Sequence, residues 1–86
     1  MTKPFYLLTK GTCKFCTVSK NLLTQNGHKY KELDITDNPA LRAVVRKAGF
    51  TTVPVIYHGE ELVGGYVNLV EYLASLEGIE IDQAAS

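Results

Sequence analysis

The stretch TKGTCKFCTVSKNLL, residues 9–23, decides the fold, because it sets two cysteines between a strand and a helix. Before it, residues 4–8 (PFYLL) form a continuous apolar run, which is typical of a central strand buried on both faces. After it, a helix is predicted from position 14 to position 26, with Gly27 placed to end it. Its apolar side chains recur at helical spacing, and they are Phe15, Val18, Leu22 and Leu23. A strand, a short loop and a helix are therefore expected here in that order.

The next two segments predict a second strand and a second helix. Residues 28–35 (HKYKELDI) indicate a more peripheral strand, because charged residues alternate with its buried candidates, which are Tyr30, Leu33 and Ile35. Residues 36–49 (TDNPALRAVVRKAG) predict a helix in which Asp37 or Asn38 is the cap and Pro39 lies in the first turn. The apolar stripe of this helix consists of Leu41, Val44, Val45 and Ala48.

The second half of the chain predicts a hairpin and a last helix. Residues 52–57 (TVPVIY) and 61–65 (ELVGG) are short and are joined by a three-residue turn, which favours an antiparallel pair. The last helix is expected to begin near Asn68, whose side chain would cap it with Glu71 three positions on, and to end at Gly78. Its apolar face consists of Leu69, Leu73 and Leu76.

The resulting order of elements, β-α-β-α-β-β-α, predicts an α/β fold. A right-handed crossover makes the first two strands parallel, and the hairpin adds two antiparallel strands. We therefore expect one mixed four-stranded sheet with helices on both faces, which is a sandwich of three layers. A chain of 86 residues has room for one domain, residues 1–86, in which residues 77–86 are expected to form a loosely held tail.

Composition and charge narrow the classes of function. Nine basic residues balance nine acidic ones, which argues against nucleic acid or an anionic membrane as the main partner. The apolar run near the N-terminus is far shorter than a signal-peptide core or a membrane span, so we expect a cytoplasmic protein. Two cysteines are too few for the disulfide framework of a secreted domain, and a close pair in a cytoplasmic chain points to reactivity.

Cys13 and Cys16 are expected to differ in reactivity. Residues three apart on a helix share a face, so the two side chains can come close enough to form a disulfide. Cys13 lies at the helix entrance, where unpaired N–H groups, the helix dipole and the neighbouring Lys10 and Lys14 favour a thiolate. Cys16 lies one turn further in, beside the apolar side chains of the helix. The spacing therefore predicts Cys13 as the nucleophile and Cys16 as the resolving cysteine.

The cysteine pair is open to other interpretations. The two residues could be buried structural cysteines, since free cysteine is often buried. A closed zinc site needs four ligands, and His28 and His58 follow no zinc spacing, so no metal site is expected within one chain. Both histidines are interpreted as solvated loop residues. An iron–sulfur cluster shared between two chains stays open, because thiolates can come from a second copy or from a bound thiol.

Three short segments together resemble those of a glutaredoxin: TKGTCKFC at residues 9–16, TVP at residues 52–54 and GGY at residues 64–66. The resemblance extends from Pro4 to about Leu76. It implies a thioredoxin-like fold and a monomeric thiol–disulfide oxidoreductase that reduces protein disulfides or protein–glutathione mixed disulfides, with glutathione as cosubstrate. By the same analogy, ribonucleotide reductase is a candidate recipient of the electrons.

The resemblance also implies a glutathione-binding groove. By this resemblance, the Val53–Pro54 peptide bond is expected to be cis and to face the cysteines. The backbone of Val53 is expected to pair with the cysteinyl part of glutathione. The amides of Tyr66 and Val67 would receive the γ-glutamyl carboxylate, and Lys10 would attract the glycine carboxylate. The residues implied to bind glutathione are Lys10, Phe15, Thr52, Val53, Pro54, Gly65, Tyr66 and Val67.

Several positions depart from the family pattern. Phe50 stands where a glutamine or arginine is frequent, Val55 stands where glutamine is common, and Val67 with Asn68 stands where acidic or small polar residues are usual. These changes remove polar contacts to glutathione. One alternative follows from these changes: a glutaredoxin-like redoxin that thioredoxin reductase reduces. A second alternative, independent of these changes, is a dimer that holds a [2Fe–2S] cluster through Cys13 and two glutathiones.

Overall fold

The secondary structure follows the predicted order along the chain. The structure, a computed structural model, describes residues 3–76. Its elements are β1 (Phe5–Thr9), α1 (Lys14–Gln25), β2 (Tyr30–Asp34), α2 (Pro39–Lys47), β3 (Val55–His58), β4 (Glu61–Gly64) and α3 (Tyr66–Leu76). The expected helix end at Gly78 and the expected tail at residues 77–86 lie outside the described residues. No helix within residues 3–76 is long and apolar enough to cross a membrane.

The four strands form one mixed sheet in the order β2-β1-β3-β4. β1 runs parallel to β2 and antiparallel to β3, and β3 pairs with β4 as a hairpin. β1 lies inside the sheet between β2 and β3, and four of its five residues are buried, as its apolar run predicts. β2 lies at an edge, as its mixed charge predicts, and only Tyr30 and Leu33 are even half-buried within it.

Helices cover both faces of the sheet, which confirms the α/β sandwich of three layers. Alternate residues of β1 point to opposite faces. Phe5 and Leu7 pack with core residues of β3, α1 and α3, which are Ile56, Leu23, Leu69 and Leu73. Leu8 packs on the other face with Ile35, Val45 and Val55, beneath α2. The larger core therefore lies on the side of α1 and α3.

α1 turns a different face to the sheet than its apolar spacing predicts. Its buried residues are Cys16, Ser19 and Leu23, which recur at intervals of three and four. Phe15, expected in the core, is instead 54% exposed. Because the buried stripe begins at Cys16, the side chain of the preceding residue, Phe15, points away from the sheet and toward the rim of the cysteine loop. Gly27 ends the helix with a φ of 76°, as predicted.

The structure resolves the cap of α2. Asn38, not Asp37, is the cap, and its Oδ1 accepts a hydrogen bond of 3.1 Å from the Leu41 amide. Val45 is the buried residue of the predicted stripe, whereas Val44 is exposed.

The predicted start of α3 is wrong by two residues, because the helix begins at Tyr66. The Leu69 amide donates to the Gly65 carbonyl oxygen at 2.9 Å, so Gly65 is the cap position. Asn68 lies inside the first turn, and its Oδ1 accepts from the Gly65 amide at 3.0 Å. Its side chain thus reaches back to the cap residue, which is the role of the third helical residue in a capping box. The expected pairing of Asn68 with Glu71 is therefore incorrect.

Candidate active site

Cys13 caps α1 in the loop that follows β1. Its backbone is extended, with φ −144° and ψ 109°, and its Sγ accepts a hydrogen bond of 3.1 Å from the Cys16 amide. Cys13 and Cys16 are joined by a disulfide, with their Cα atoms 5.2 Å apart. Cys13 is half-buried, while Cys16 is only 1% exposed. An incoming group therefore meets the sulfur of Cys13 first.

Positive charge surrounds Cys13 at the start of α1. The first turn of α1 contains no acidic residue, and its first residue is Lys14. Lys10 and Lys14 are both exposed beside the loop. The N-terminal end of a helix stabilises a negative charge, and the Cys16 amide already points at the sulfur.

The backbone opposite the cysteines has the conformation that the resemblance implies. The Val53–Pro54 peptide bond is cis. The Val53 carbonyl oxygen lies 3.6 Å from Cys13 Sγ. Pro54 is buried, and β3 follows it with the fully buried Val55 and Ile56, which anchor this backbone in the core.

An apolar groove, here called the thiol groove, lies between α1, the Val53–Pro54 segment and the start of α3. It is lined by Phe15, Phe50, Thr52, Val53, Pro54, Gly65, Tyr66, Val67 and Asn68. The structure thus brings together all the predicted glutathione-binding residues except Lys10. The exposed ring of Phe15 lies 5.6 Å from that of Tyr66, measured between ring centroids.

Lys10 lies in a second, adjoining groove, here called the basic groove. It is lined by Lys10, Ile35, Arg42, Val45, Arg46, Phe50, Thr51, Thr52 and Val53. Three of these residues, Phe50, Thr52 and Val53, also line the thiol groove. Sequence reasoning missed Arg42 and Arg46. Their spacing of four predicts a shared face of α2, but only the packing of α2 on the sheet places that face beside the cysteine loop.

The start of α3 forms the far end of the thiol groove. Gly65 lies close to the cis peptide, since a side chain added there would come within 3.8 Å of the Pro54 carbonyl oxygen. The first amides of a helix lack acceptors within the helix, so those of Tyr66 and Val67 are available to a carboxylate. Val67 itself is 67% exposed and adds an apolar rim.

The two histidines lie away from the cysteines, and His58 differs from its predicted place in a solvated turn. His58 is the last residue of β3 and is half-buried, with Nδ1 2.8 Å from the Tyr72 hydroxyl and Nε2 3.0 Å from the Lys3 carbonyl oxygen. Its ring stacks on Phe5 at 4.1 Å, and the ring of His28 meets the same phenyl group at 5.2 Å. Both are packed against the core. Across residues 3–76, no group of three or more histidine, cysteine, aspartate or glutamate side chains could hold a metal ion.

Thiol–disulfide oxidoreductases of the thioredoxin-like fold are the class of protein defined by this sheet and by a disulfide at the start of its first helix. A family model described as glutaredoxin matches residues 6–63. The chain therefore belongs to the glutaredoxin family, whose members are thiol–disulfide oxidoreductases.

Individual relatives agree with this assignment. The chain is 43% identical over 63 residues to a glutaredoxin of Pseudomonas aeruginosa, covering 72% of this chain and 75% of that protein. It is 38% identical over 60 residues to glutaredoxin 3 of Escherichia coli strain K12, covering 69% and 72% respectively. Its fold is similar to the holo form of glutaredoxin C1 from Populus tremula x tremuloides, with a TM-score of 0.74 at 29% identity over 88% of this chain and 72% of that one.

Proposed function

We propose that the protein is a dithiol glutaredoxin that reduces protein disulfides and protein–glutathione mixed disulfides with electrons from glutathione. One observation carries the proposal: the more accessible sulfur of the pair, that of Cys13, lies 3.6 Å from the Val53 carbonyl oxygen, at the edge of a groove. A cysteinyl residue that pairs with the Val53 backbone has its own sulfur within reach of Cys13.

The proposed cycle uses both cysteines. The Cys13 thiolate attacks one sulfur of the substrate disulfide, so a new S–S bond forms while the old one breaks and the second substrate sulfur leaves as a thiolate. Cys16 then loses its proton and attacks Cys13 Sγ, which releases the first substrate sulfur as a thiol and closes the Cys13–Cys16 disulfide. The substrate has gained two electrons. Two glutathione molecules return them to the protein and leave as glutathione disulfide.

The positions of charge along the two grooves support one orientation for glutathione. Its cysteinyl residue pairs with Val53, its γ-glutamyl carboxylate meets the amides of Tyr66 and Val67, and its glycine carboxylate points to Lys10. The two grooves are continuous through Thr52 and Val53, so one extended tripeptide can span both. The catalytic roles of Cys13 and Cys16, and the binding roles of Phe15, Thr52, Pro54 and Gly65, belong to the same proposal.

We place this activity in the cytoplasm, in a monomer, with oxidised or glutathionylated proteins as substrates. Ribonucleotide reductase is included among them by family analogy alone.

A second candidate function differs in the electron donor. The thiol groove carries Phe50 in its wall and the exposed Val67 at its rim. Apolar surface beside a redox-active cysteine suits contact with a protein, so thioredoxin reductase in place of glutathione is the alternative that this surface favours.

The experiment that tests the proposal follows NADPH oxidation with the mixed disulfide of glutathione and mercaptoethanol as substrate, in the presence of glutathione and glutathione reductase. We expect turnover by the wild type, most of that activity in Cys16→Ser, and none in Cys13→Ser, because only Cys13 is needed to take up a glutathionyl group. Thr17→Ser, an exposed position on the same helix, is the matched control and should behave as the wild type.

A parallel assay replaces glutathione and its reductase with thioredoxin reductase. Turnover in that assay alone would overturn glutathione dependence in favour of the second candidate. Full activity in Cys13→Ser would overturn both.

A further inference from the structure

The basic groove concentrates positive charge on a chain that has no net charge. Lys10, Arg42 and Arg46 line it, and no acidic residue does. Within residues 3–76 the one ion pair is Lys20 with Glu32, and none of the three groove cations makes a side-chain hydrogen bond there. These cations therefore lie along one groove without an ion-pair partner among the described residues.

The acidic residues nearest in sequence do not line the groove. Asp34 accepts a hydrogen bond of 2.8 Å from the Thr36 amide at the end of β2. Neither Asp34 nor Asp37 is part of the groove lining, and a smaller neighbouring cleft, formed by Lys10, Gly11, Thr12, Thr36 and Arg42, also lacks an acidic side chain. The cationic surface thus extends from α2 to the loop that carries Cys13.

The basic groove is placed to contact the chain that flanks a reacting cysteine. Val53 lines both grooves, and its carbonyl oxygen lies 3.6 Å from Cys13 Sγ. A substrate segment that pairs with Val53 is extended and advances about 3.3 Å per residue. Two or three residues beyond the substrate cysteine, on one side, such a segment lies over Arg42 and Arg46.

The direction of the segment follows from the orientation proposed for glutathione, on which this inference rests. In that orientation the glycine, which follows the cysteinyl residue, points toward Lys10. A protein substrate bound in the same direction places the residues after its cysteine over the basic groove. We propose that this groove selects protein disulfides in which the attacked cysteine is followed by acidic residues.

The groove acts on recognition and leaves the exchange chemistry unchanged. Substrate carboxylates neutralise Lys10, Arg42 and Arg46 while Cys13 forms the mixed disulfide and the second substrate sulfur leaves as a thiolate. Because the three cations are exposed, the effect on the association rate should be large at low salt and small at high salt.

The test uses two synthetic peptides of identical composition, each as its symmetric disulfide dimer, so that either sulfur belongs to a peptide. One peptide has acidic residues directly after its cysteine and the other has them directly before it. The measurement is the second-order rate constant with which pre-reduced protein reduces each dimer, a single turnover that needs no electron donor. We expect the first peptide to react about fivefold faster at an ionic strength of about 0.01 M, and the ratio to approach one at about 1 M.

A pair of variants links this ratio to the groove. In Arg42→Gln/Arg46→Gln the ratio should fall to about one at low salt. Lys29→Gln is the matched control, because Lys29 is exposed just before β2, at the end of the sheet opposite the cysteines, and its ratio should equal that of the wild type. Equal rates for both peptides in the wild type, or the same drop in the Lys29 control, would overturn the inference.

The outcomes also separate this inference from the proposed function. If the wild type shows no glutathione-dependent activity in the NADPH assay, the proposed electron donor is wrong. The ratio of the two single-turnover rates does not depend on that donor. A faster reaction of the peptide with acidic residues before its cysteine would show the opposite chain direction and would overturn the inference together with the proposed orientation of glutathione.

Discussion

Gly64 is the position where a single added methyl group should cost the most stability near the site. Its φ is +121°, a region that side-chain-bearing residues rarely adopt, and forcing alanine into it costs about 1–3 kcal/mol. A Cβ there would lie 2.6 Å from Asn68 Oδ1, 2.8 Å from Asn68 Cγ and 2.9 Å from Asn68 Cβ. The Asn68 side chain must therefore move and release the Gly65 amide, which costs about 0.5–2 kcal/mol for a lost cap.

Together these terms span about 1.5–5 kcal/mol, and near the middle of that span Gly64→Ala is expected to lower the free energy of unfolding by roughly 2–4 kcal/mol. For a domain of this size that corresponds to a Tm lower by at least about 8 °C. The assay is urea unfolding followed by far-ultraviolet circular dichroism, with the cysteines kept reduced and a two-state fit.

Two further variants test whether the contact with Asn68 constrains Gly64. Gly65→Ala should change stability by less than about 0.5 kcal/mol, because its added Cβ would lie 3.8 Å from the Pro54 carbonyl oxygen, which is ordinary van der Waals contact, and its φ is not positive. Gly64→Ala/Asn68→Ala should be less destabilised than the sum of the two single changes, since each removes the same cap. A loss below about 1 kcal/mol in Gly64→Ala, or strict additivity in the double variant, would show that the contact with Asn68 is not what constrains Gly64.

The remaining predictions concern α2 and the edge strand. Asn38→Ala should lower the free energy of unfolding by about 1 kcal/mol because it removes the α2 cap, whereas Asp37→Ala should change it by less than about 0.5 kcal/mol in the same urea unfolding experiment. The hydrogen bond from the Thr9 hydroxyl, and then that from the ammonium group of Lys20, lower the pKa of Glu32. The ionised Glu32 therefore contributes to stability above the ordinary glutamate pKa of about 4.3, and this contribution is lost as the pH falls through the lower pKa of the folded state. The free energy of unfolding of the wild type should therefore exceed that of Glu32→Gln by about 0.5–1 kcal/mol at pH 7, and this difference should shrink in acid. A difference that stays constant from neutral pH to about pH 3 would contradict this assignment.

The order of elements could be predicted from sequence because each element carries a local signal. Each signal lies within or next to the element that it predicts: the apolar run of β1, the glycine that ends α1 at Gly27, and the proline at the start of α2. The position and direction of β2 followed as well, since its mixed charge places it at an edge and a right-handed crossover makes it parallel to β1, but the pairing of β1 with β3 was not predicted.

What sequence reasoning missed depends on tertiary packing. Phe15 fits an apolar helical stripe, yet Cys16 and Ser19 face the sheet, because the geometry of the cysteine loop sets the rotation of α1. Asn68 looks like a cap, but the φ of Gly64 lets the helix begin earlier and reverses its role. The cis bond before Pro54 came from family resemblance, as nothing in the adjacent residues specifies it.

The cationic surface shows the same limit for the site. Arg42 and Arg46 look like ordinary solvated charges on the exposed side of a helix. Their importance comes from the crossing of α2 over the sheet, which brings them next to Val53. Local sequence contains the spacing of the two arginines but not the position of the surface on which they lie.

The two walls of the basic groove are packed into the core to different extents, because the layers of the sandwich are unequal. The wall at Val53 and Pro54 continues into β3, whose Val55 and Ile56 are fully buried between the layers. The wall at α2 is a nine-residue helix in which Val45 is the buried side chain, and Leu41 and Ala48 pack beside it half-buried. Local opening of such a helix costs less free energy than opening of the sheet. We therefore expect the backbone proposed to align a substrate cysteine to open less often than the arginine-bearing helix.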